Sequence, residues 1–502
     1  MDTTICSKGS TFAGESSSMG ELRQRPNHSV RSHFFSGGEF TASCGAESIV
    51  VTNPADETEV GRTPRGSERD IDHAVSAARR SFDSGPWPRL SPAERGEWLD
   101  KLADELERRG DDIAAMITAE IGQPIRVSTA WGGKRPVAHL RYYAQVARDL
   151  QNELERPNVA RQGTSTIRRE PLGVAALIVP WNHPFASTTL KLGPALAAGC
   201  TVVIKPAEES PLDIYILAEA CLKIGLPAGV INIVPGGRET GQILVAHPGI
   251  DKVGFTGSTA AGRSIASNMG ARLLPVTLEL GGKSAAIVLE SADLDMTMDS
   301  LRVASFENTG QTCASMSRVL VPQSRYAEVR DRLLSEMRSL RVGDPWDPDT
   351  DLGPLVSARI KDRALGLVRR AEDGGVAATR THQDLPSTGC FVSPVLIEKA
   401  AMDSEIAQTE VFGPVVSLHS YGSVEEAIDL ANQSQYGLAS AIYGDSAQAE
   451  SVARRIRAGT VGINGYKPDL NHPYGGYKES GMGREFAPEA TAAYQNIKTI
   501  WR

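Results

Sequence analysis

The chain has few of the features that mark several large classes of protein. It contains only six cysteines in 502 residues, without the close pairs of a disulfide framework or a zinc site, so no metal centre is expected. Its formal net charge is −8, and the lack of an excess of basic residues argues against a nucleic acid or an anionic membrane as partner. No apolar run approaches the roughly 18 residues that cross a bilayer.

The N-terminal segment has few large apolar side chains and lacks any hydrophobic run typical of a secretory signal. Residues 1–33 are rich in serine, glycine and arginine, and this composition predicts a disordered extension. The chain as a whole is 41% apolar and 23% charged, which is typical of a soluble globular protein. Its length of 502 residues exceeds one ordinary core, so two or three domains are expected.

Apolar runs of strand length alternate with helical patterns through most of the chain. Fully apolar strands separated by helices indicate a parallel sheet covered on both faces, and therefore a doubly wound α/β domain. A second α/β block begins near Gly282. The apolar runs lie at 174–179, 201–204, 230–234 and 252–256 in the first block, and at 284–289 and 318–321 in the second. In doubly wound sheets, ligands bind beyond the carboxyl ends of the strands.

Three polar side chains, each in a separate run, supply the groups needed to attack a carbonyl carbon. Cys313 lies in FENTGQTCAS, Glu279 in LELGGK and Asn182 in PWNHP. A thiol, a carboxylate and an amide can act as nucleophile, base and oxyanion donor. Taken singly, each has an ordinary interpretation: a buried small hydrophobe, a surface residue at a strand end, and a turn residue before proline. Their combination is what favours catalysis.

The order and the residues of these runs resemble those of the NAD(P)-dependent aldehyde dehydrogenase superfamily. The resemblance implies that Cys313 is the nucleophile, and that Glu279 is the general base for the thiol or the hydrolytic water. It also implies that Asn182 and the backbone N–H of Cys313 bind the oxyanion. One departure is Tyr474, where the family form usually has phenylalanine. The resemblance extends from about residue 34 to residue 502, and it includes the further runs EVFGP at 410–414 and GGYKESG at 475–481.

The sequence signal for a cofactor site is less direct, because the usual GxGxxG run after the first strand of the sheet is missing. Segment 254–262 instead leads from a strand through Gly257 into a helix. Backbone N–H groups at that helix start, together with the Ser258 hydroxyl, can hold a pyrophosphate, although an ordinary N-cap is the alternative. The other cofactor contacts implied by the resemblance are Lys205 and Glu208 at the adenosine ribose, and Trp181, Glu410 and Phe412 toward the nicotinamide. Because a carboxylate at the ribose repels a 2′-phosphate, NAD is favoured over NADP.

The resemblance also implies a division of the chain into three parts. These are an NAD-binding domain (34–150 and 172–281), a catalytic domain (282–480) and an oligomerisation arm (151–171 and 481–502). An exposed β edge in the arm invites pairing with another subunit, so a homodimer or homotetramer is expected. A working thiolate needs a reducing compartment, and we therefore expect the protein in the cytoplasm.

The reaction that the resemblance implies is NAD-dependent oxidation of an aldehyde to the carboxylic acid, through a thiohemiacetal and a thioester on Cys313. Two other functions stay open: a CoA-acylating semialdehyde dehydrogenase, and a catalytically idle binding protein on the same fold. Members of the first kind typically lack a base like Glu279, and the second predicts loss of Cys313 or Glu279. The loop 466–472 is expected to line the aldehyde entrance, but the sequence leaves the aldehyde itself open.

Overall fold

The structure, a computed structural model, describes residues 25–502. Residues 1–24 of the extension expected to be disordered lie outside the described residues. For residues 25–33 the prediction of disorder is wrong. The strand β1 (Ser29–Val30) pairs in parallel with β5 (Glu59–Pro64), and the Arg31 guanidinium lies 3.0 Å from the carboxylate of Glu219. These partners are distant in sequence, and composition alone does not reveal them.

The first large sheet has a parallel centre with antiparallel strands at both edges. Its order is β22 (Gly481–Met482), β12 (Val276–Glu279), β11 (Lys252–Thr256), β8 (Val174–Ile178), β9 (Thr201–Lys205), β10 (Ile231–Ile233), β2 (His33–Ser36) and β3 (Glu39–Ala42). The strand order reverses between β8 and β11, as in a doubly wound fold. The predicted strands and the predicted fold class are confirmed.

Helices cover both faces of this sheet. They are α1 (Glu68–Asp83), α2 (Pro92–Arg108), α3 (Gly110–Ile121), α4 (Ile125–Ser128), α5 (Arg135–Asp149), α6 (Pro184–Ala198), α7 (Ile214–Ile224), α8 (Arg238–Ala246) and α9 (Thr259–Ala271), with a 3₁₀ turn at Trp87–Arg89 and a π-helical turn at Thr129–Lys134. Within residues 25–502, no helix has both the length and the apolar character to span a bilayer.

The second large sheet is parallel except for one edge strand. Its order is β15 (Ala377–Arg380), β16 (Val395–Glu398), β17 (Val415–Tyr421), β14 (Arg318–Pro322), β13 (Ala285–Val288), β19 (Ala439–Tyr443) and β20 (Thr460–Ile463). The helices of this half are α10 (Leu294–Phe306), α11 (Tyr326–Ser339), α12 (Ala358–Asp373), α13 (Glu405–Gln408), α14 (Val424–Asn432) and α15 (Ser446–Ala453), with 3₁₀ turns at Glu307–Gly310 and Gln323–Arg325. The last helix, α16 (Ala487–Ala492), packs against α6 of the first half. This sheet is the second α/β block that the sequence predicts.

Three small sheets complete the fold. They are β1 with β5 and β4 (Ser48–Thr52), β18 (Tyr436–Gly437) with β21 (Tyr477–Lys478), and the arm, in which β7 (Thr164–Pro171) lies between β6 (Glu153–Pro157) and β23 (Gln495–Ile500). The outer arm strands β6 and β23 are mostly exposed. Gly481–Met482, which the sequence analysis placed in the arm, instead pairs with β12 of the first large sheet.

The two large sheets meet through the short segment 280–284, which runs from the carboxyl end of β12 to the amino end of β13. The amino ends of β13, β14 and β17 lie side by side, since Ala285 pairs with Arg318 and Arg318 with Ser417. The carboxyl end of one sheet therefore faces the amino end of the other. Loops from both sheets converge in the cleft between them.

Candidate active site

The predicted side chains of the first sheet all follow the carboxyl ends of its strands. Trp181 and Asn182 follow β8, Lys205 ends β9, and Gly257 follows β11. Register brings these ends together, because Ile178 pairs with Lys205 and Thr256 pairs with Glu279. This edge includes the point where the strand order reverses, which is where such sheets bind ligands.

Cys313 lies on a rigid turn at the amino end of β14. The turn is reached through Asn308 and Thr309, which have left-handed backbone angles (φ 53° and 58°). The Gln311 side chain fixes the turn, because its Nε2 donates to the Asn308 carbonyl at 3.1 Å and its Oε1 accepts from the Val356 N–H at 3.0 Å. The thiol is thus held in place by backbone geometry and amide hydrogen bonds.

Asn182 is bonded to the turn that carries Cys313. Its Nδ2 donates to the Gln311 carbonyl at 3.0 Å, and its own carbonyl accepts from Asn308 Nδ2 at 2.9 Å. An amide nitrogen carries two hydrogens, so a second N–H of Asn182 stays available for an oxyanion. The structure therefore brings Asn182 and Cys313 into one site.

His183, beside Asn182, belongs to a stack that the sequence does not reveal. Its ring lies on Trp131 with centroids 4.1 Å apart, and the Arg135 guanidinium lies 3.5 Å from the centroid of Trp131. Burial, together with the charge of Arg135, lowers the pKa of His183 to about 3. The imidazole is therefore neutral at physiological pH and serves as packing beside Asn182.

Glu279 ends β12 as a buried carboxyl group, only 4% exposed. Neither of its carboxylate oxygens has a hydrogen-bond partner among residues 25–502. Burial and the negative charge of Glu485 raise its pKa well above the usual value. An unpaired carboxyl group with a raised pKa is suited to accept a proton, and such groups concentrate in active sites.

Two contacts fix the surroundings of Glu279. A Cβ on Gly475 would lie 2.7 Å from Glu279 Oε1, so this glycine leaves the space that the carboxyl group occupies. Lys191 forms a buried ion pair with Glu485, and Lys191 Nζ also donates to Thr256 Oγ1 at 2.6 Å. The positive charge of Lys191 moderates the rise in the Glu279 pKa.

The Cys313 thiol is partly exposed at the bottom of the cleft. Burial raises its pKa to about 12, with further contributions from the charges of Glu410 and Glu279. The resting thiol is therefore protonated at neutral pH, and attack on a carbonyl requires a proton acceptor. The buried Cys200 and Cys221 have pKa values raised to about 11 and 12 by burial, and they lie in the apolar core.

The Gly-Gly pair after Glu279 allows close approach of three chain segments. A Cβ on Gly281 would lie 2.5 Å from Glu410 Oε2, and a Cβ on Gly282 would overlap the Cys313 carbonyl oxygen. The Gly282 N–H donates to Glu410 Oε1 at 3.1 Å. Burial raises the Glu410 pKa to about 7.

The residues assigned to the nicotinamide side also meet. Phe412 contacts Trp181 edge to face, with centroids 5.3 Å apart. Phe412 has a left-handed backbone (φ 61°), which turns the chain sharply between Glu410 and β17. Two aromatic rings and a carboxylate thus border the Cys313 side of the cleft.

Lys205 and Glu208 are the residues predicted to contact the adenosine ribose. Lys205 Nζ donates to the carbonyls of Pro206 and Gly236 at 2.6 and 2.5 Å, and burial lowers its pKa to about 8. The Glu208 carboxylate is partly exposed and accepts from Arg65 at 3.0 Å. A Cβ on Gly237 would lie 2.6 Å from Glu208 Oε2. The Glu208 carboxylate and the Lys205 amine lie beside a space that a side chain at Gly237 would fill. Both groups fit the hydroxyls of a nucleotide ribose.

The start of helix α9 differs in part from the expectation. The Gly257 N–H already donates to the Glu279 carbonyl at 3.0 Å, so it is not a free donor. Ser258 is the N-cap, and its Oγ accepts from the Ala261 N–H at 3.3 Å. The Ser258 hydroxyl hydrogen and the first N–H groups of α9 are the donors that fit a pyrophosphate.

Tyr474 is a residue that sequence reasoning passed over. Its hydroxyl lies 3.9 Å from Cys313 Sγ, and its ring stacks on Phe486 with centroids 5.0 Å apart. The only signal in the sequence is a tyrosine where the resembled family usually has phenylalanine. Nothing local to residue 474 indicates a contact with residue 313.

Comparison with known proteins gives consistent matches over nearly the whole chain. The family model described as "Aldehyde dehydrogenase family" matches residues 40–500. The geranial dehydrogenase of Castellaniella defragrans is 45% identical over 477 residues, covering 93% of this chain and 98% of the relative.

Solved structures agree with this match. A Mycobacterium tuberculosis aldehyde dehydrogenase in complex with NAD+ superposes with a TM-score of 0.92 at 37% identity, covering 94% of this chain and 98% of that one. A variant of aldehyde dehydrogenase C from Pseudomonas syringae, in complex with NAD+ and octanal, gives 0.89 at 34% identity, covering 93% and 96%.

Proposed function

We propose roles for the individual residues of this site on an established premise: the chain belongs to the aldehyde dehydrogenase family and is an NAD-dependent aldehyde dehydrogenase. Cys313 is the nucleophile, and its sulfur forms a bond to the aldehyde carbon. Glu279 accepts the thiol proton, directly or through water. Asn182 Nδ2 and the Cys313 backbone N–H donate to the oxygen of the resulting thiohemiacetal.

Glu279 has a second task after oxidation. The chemistry that NAD supplies when bound is acceptance of the hydride from the former aldehyde carbon, which leaves a thioester on Cys313. Glu279 first passes the thiol proton to solvent and then takes a proton from a water molecule. The water oxygen attacks the thioester carbon, the carbon–sulfur bond breaks, and the carboxylic acid leaves while the Cys313 thiolate takes back a proton. The unpaired, buried carboxyl group of Glu279 is the observation that supports hydrolysis over transfer to CoA.

For the cofactor, we propose that Lys205 and Glu208 hold the adenosine ribose and that Ser258 with the start of α9 holds the pyrophosphate. Glu410 then binds the nicotinamide ribose, with Trp181 and Phe412 beside the ring. The Glu208 carboxylate disfavours a 2′-phosphate, but Arg65 at 3.0 Å offsets part of its charge. NADP is therefore expected to be a weaker cofactor that still binds.

The substrate that we propose is a bulky, largely apolar aldehyde of the terpenoid type. Support comes from the geranial dehydrogenase at 45% identity and from the aromatic rings of Tyr466, Tyr474 and Phe486 near Cys313. Initial rates of NADH formation at 340 nm should favour geranial over acetaldehyde and over charged semialdehydes. A preference for a charged semialdehyde would contradict the proposal.

We also propose that the arm pairs subunits and that the protein is cytoplasmic. In the arm, Ile497, Ile500 and Trp501 are 63%, 41% and 72% exposed, and such an apolar edge is suited to pairing with a second copy. The cysteines at positions 44, 200, 221, 313 and 390 are free, which agrees with a reducing compartment. Light scattering should give a dimer or tetramer, and a smaller particle when residues 495–502 are removed.

Substitution of the nucleophile tests the proposed roles. Cys313→Ala removes the sulfur without adding bulk, and we expect NADH formation to fall to background while calorimetry still detects NAD binding. Cys44→Ala, at an exposed cysteine outside the site, is the matched control and should keep full activity. Retention of most of the activity by Cys313→Ala would refute the assignment.

A further inference from the structure

We propose that Tyr474 is a catalytic residue whose phenolic O–H donates a hydrogen bond to the ionised sulfur of Cys313. This inference rests on the proposed role of Cys313 as nucleophile. The Tyr474 oxygen lies 3.9 Å from Cys313 Sγ, a distance at which a hydrogen bond to sulfur forms. The hydroxyl is the one group that distinguishes this residue from the phenylalanine expected at the position.

Tyr474 is held in place independently of Cys313. Its backbone N–H and carbonyl both bond to Glu485, at 2.8 and 2.7 Å. Its ring stacks on Phe486 at an interplanar angle of 24°. The position of the hydroxyl is therefore set by the surrounding chain, and removal of the oxygen alone should leave the ring where it is.

The hydroxyl of Tyr466, a second tyrosine packed near Cys313, is engaged elsewhere. Thr460 Oγ1 donates to the Leu438 carbonyl at 3.1 Å and thus accepts from the Tyr466 hydroxyl at 2.8 Å. The Tyr466 proton is therefore used by Thr460. Of these two tyrosines, Tyr474 is the one whose proton can reach the sulfur of Cys313.

The charge on the sulfur decides the direction of this hydrogen bond. While the thiol is protonated, its S–H can donate to the Tyr474 oxygen. When the S–H bond breaks and the proton leaves to Glu279 or solvent, the sulfur becomes an anion. Hydrogen bonds to ionised acceptors are roughly twice as strong as neutral ones, so the Tyr474 proton turns to the sulfur. Tyr474 itself stays protonated, since burial raises its pKa well above 10.0.

Two carboxylates oppose ionisation of the sulfur. Glu410 and Glu279 both face Cys313, and their negative charges raise its pKa. Tyr474 and the backbone N–H of Ala314 are the groups that act in the opposite direction. A hydrogen-bond donor at this point therefore stabilises the thiolate, whose formation the nearby negative charges disfavour.

Alkylation of the thiol tests the inference without aldehyde or cofactor. The full-length apo-protein is treated with iodoacetamide from pH 6 to pH 10, and modification of Cys313 is followed by mass spectrometry on the tryptic peptide 303–318. Peptide-level detection separates Cys313 from the exposed Cys44. In Tyr474→Phe, Cys313 should be alkylated about three- to tenfold more slowly near pH 8. This loss is modest for a hydrogen bond to a charged group, because sulfur is a weak acceptor. Across this pH range, the whole profile of rate against pH should move to higher pH in the variant.

Two further variants make the test specific. Tyr466→Phe removes the neighbouring hydroxyl that is bonded to Thr460 and keeps the contact between Tyr474 and the sulfur, so Cys313 should be alkylated as fast as in the parent protein. Tyr443→Phe removes a buried hydroxyl bonded to Ser300 at 2.9 Å, outside the site, and should match the parent. An unchanged rate in Tyr474→Phe, or an equal fall in Tyr474→Phe and Tyr466→Phe, would overturn the inference. Activity retained by Cys313→Ala would instead refute the proposed function on which it rests.

Discussion

Acidic side chains have opposite environments in the cleft and in the arm, and their pKa values shift in opposite directions. In the arm, Glu170 accepts from Lys498 at 2.6 Å and from Arg168 at 3.0 Å, and the hydrogen bond from Lys498 lowers the pKa of Glu170. In the cleft, Glu279 is buried without a hydrogen-bond partner in the described chain, and burial raises its pKa. The arm carboxylate stabilises the fold, whereas the cleft carboxyl group is kept ready for a proton at a cost in stability.

This difference shows which buried polar groups of the chain depart from the usual pairing by hydrogen bonds. Buried polar groups are normally hydrogen-bonded, and an unpaired one commonly marks a functional site. Burial raises the pKa of the Cys313 thiol, and the negative charges of Glu410 and Glu279 raise it further. Four predictions test the contrast between the two regions, from the largest expected effect to the smallest.

Replacement of the cleft carboxyl group should have the largest effect. Glu279→Gln keeps the shape but removes the base, and steady-state oxidation should fall by about 10²–10⁴-fold, the usual worth of a general base. The parent enzyme should lose kcat as the pH falls through the raised pKa of Glu279, because the protonated group accepts no proton. The variant should lack that acidic limb.

The same variant should be more stable than the parent protein above neutral pH. A raised pKa in the folded state means that the stability contributed by Glu279 is fully present below its unfolded pKa and is lost as the pH rises through the folded value. The gain in Tm for Glu279→Gln should therefore be larger at pH 8 than at pH 5. A loss of Tm at pH 8 would contradict an uncompensated carboxyl group.

Displacement of the same carboxyl group should have a smaller effect. Gly475→Ala places a Cβ 2.7 Å from Glu279 Oε1, and activity should fall by up to about 10²-fold, as for a small misplacement of a reacting group. Gly270→Ala near the end of α9 is the control, since its Cβ would meet no atom within 4 Å. Equal activity of the two variants would show that the position of Glu279 is not critical.

Removal of the arm carboxylate should have the smallest effect and an opposite pH dependence. Glu170→Gln should cost about 0.2–1 kcal/mol in the free energy of unfolding, as expected for a solvent-screened ion pair. Because the Glu170 pKa is lowered in the folded protein, its contribution is present above the unfolded pKa and is lost as the pH falls. Urea unfolding at pH 7 and pH 3 measures this, and a loss that persists at pH 3 would argue against it.

The sequence predicts the frame of the site well, because strand ends and glycine turns are local features. The runs around Asn182, Lys205 and Glu279 follow apolar strands, so their place at one edge of a parallel sheet follows from the fold class. Cys313 reaches the same cleft because the segment 280–284 joins the two sheets. These inferences need only the order of elements along the chain.

Contacts between distant segments were beyond sequence reasoning. The Tyr474 hydroxyl meets a sulfur 161 residues away, and Lys191 pairs with a carboxylate 294 residues away. Gly257 lies where the sequence predicts, but its N–H is not available to a pyrophosphate because it donates to the Glu279 carbonyl. Residues 25–33 are ordered through β1, whose partner β5 begins 29 residues after Val30 in the sequence. Such pairings depend on the assembled fold and leave no local pattern.

The central claim is that Cys313 carries the acyl group and Glu279 directs water to it. The most direct test is mass spectrometry of Glu279→Gln after mixing with NAD and an aldehyde such as geranial. The account predicts a single burst of NADH and a stable acyl adduct on the peptide 303–318, which hydroxylamine removes. Continued turnover without an adduct, or an adduct on any other peptide, would contradict it.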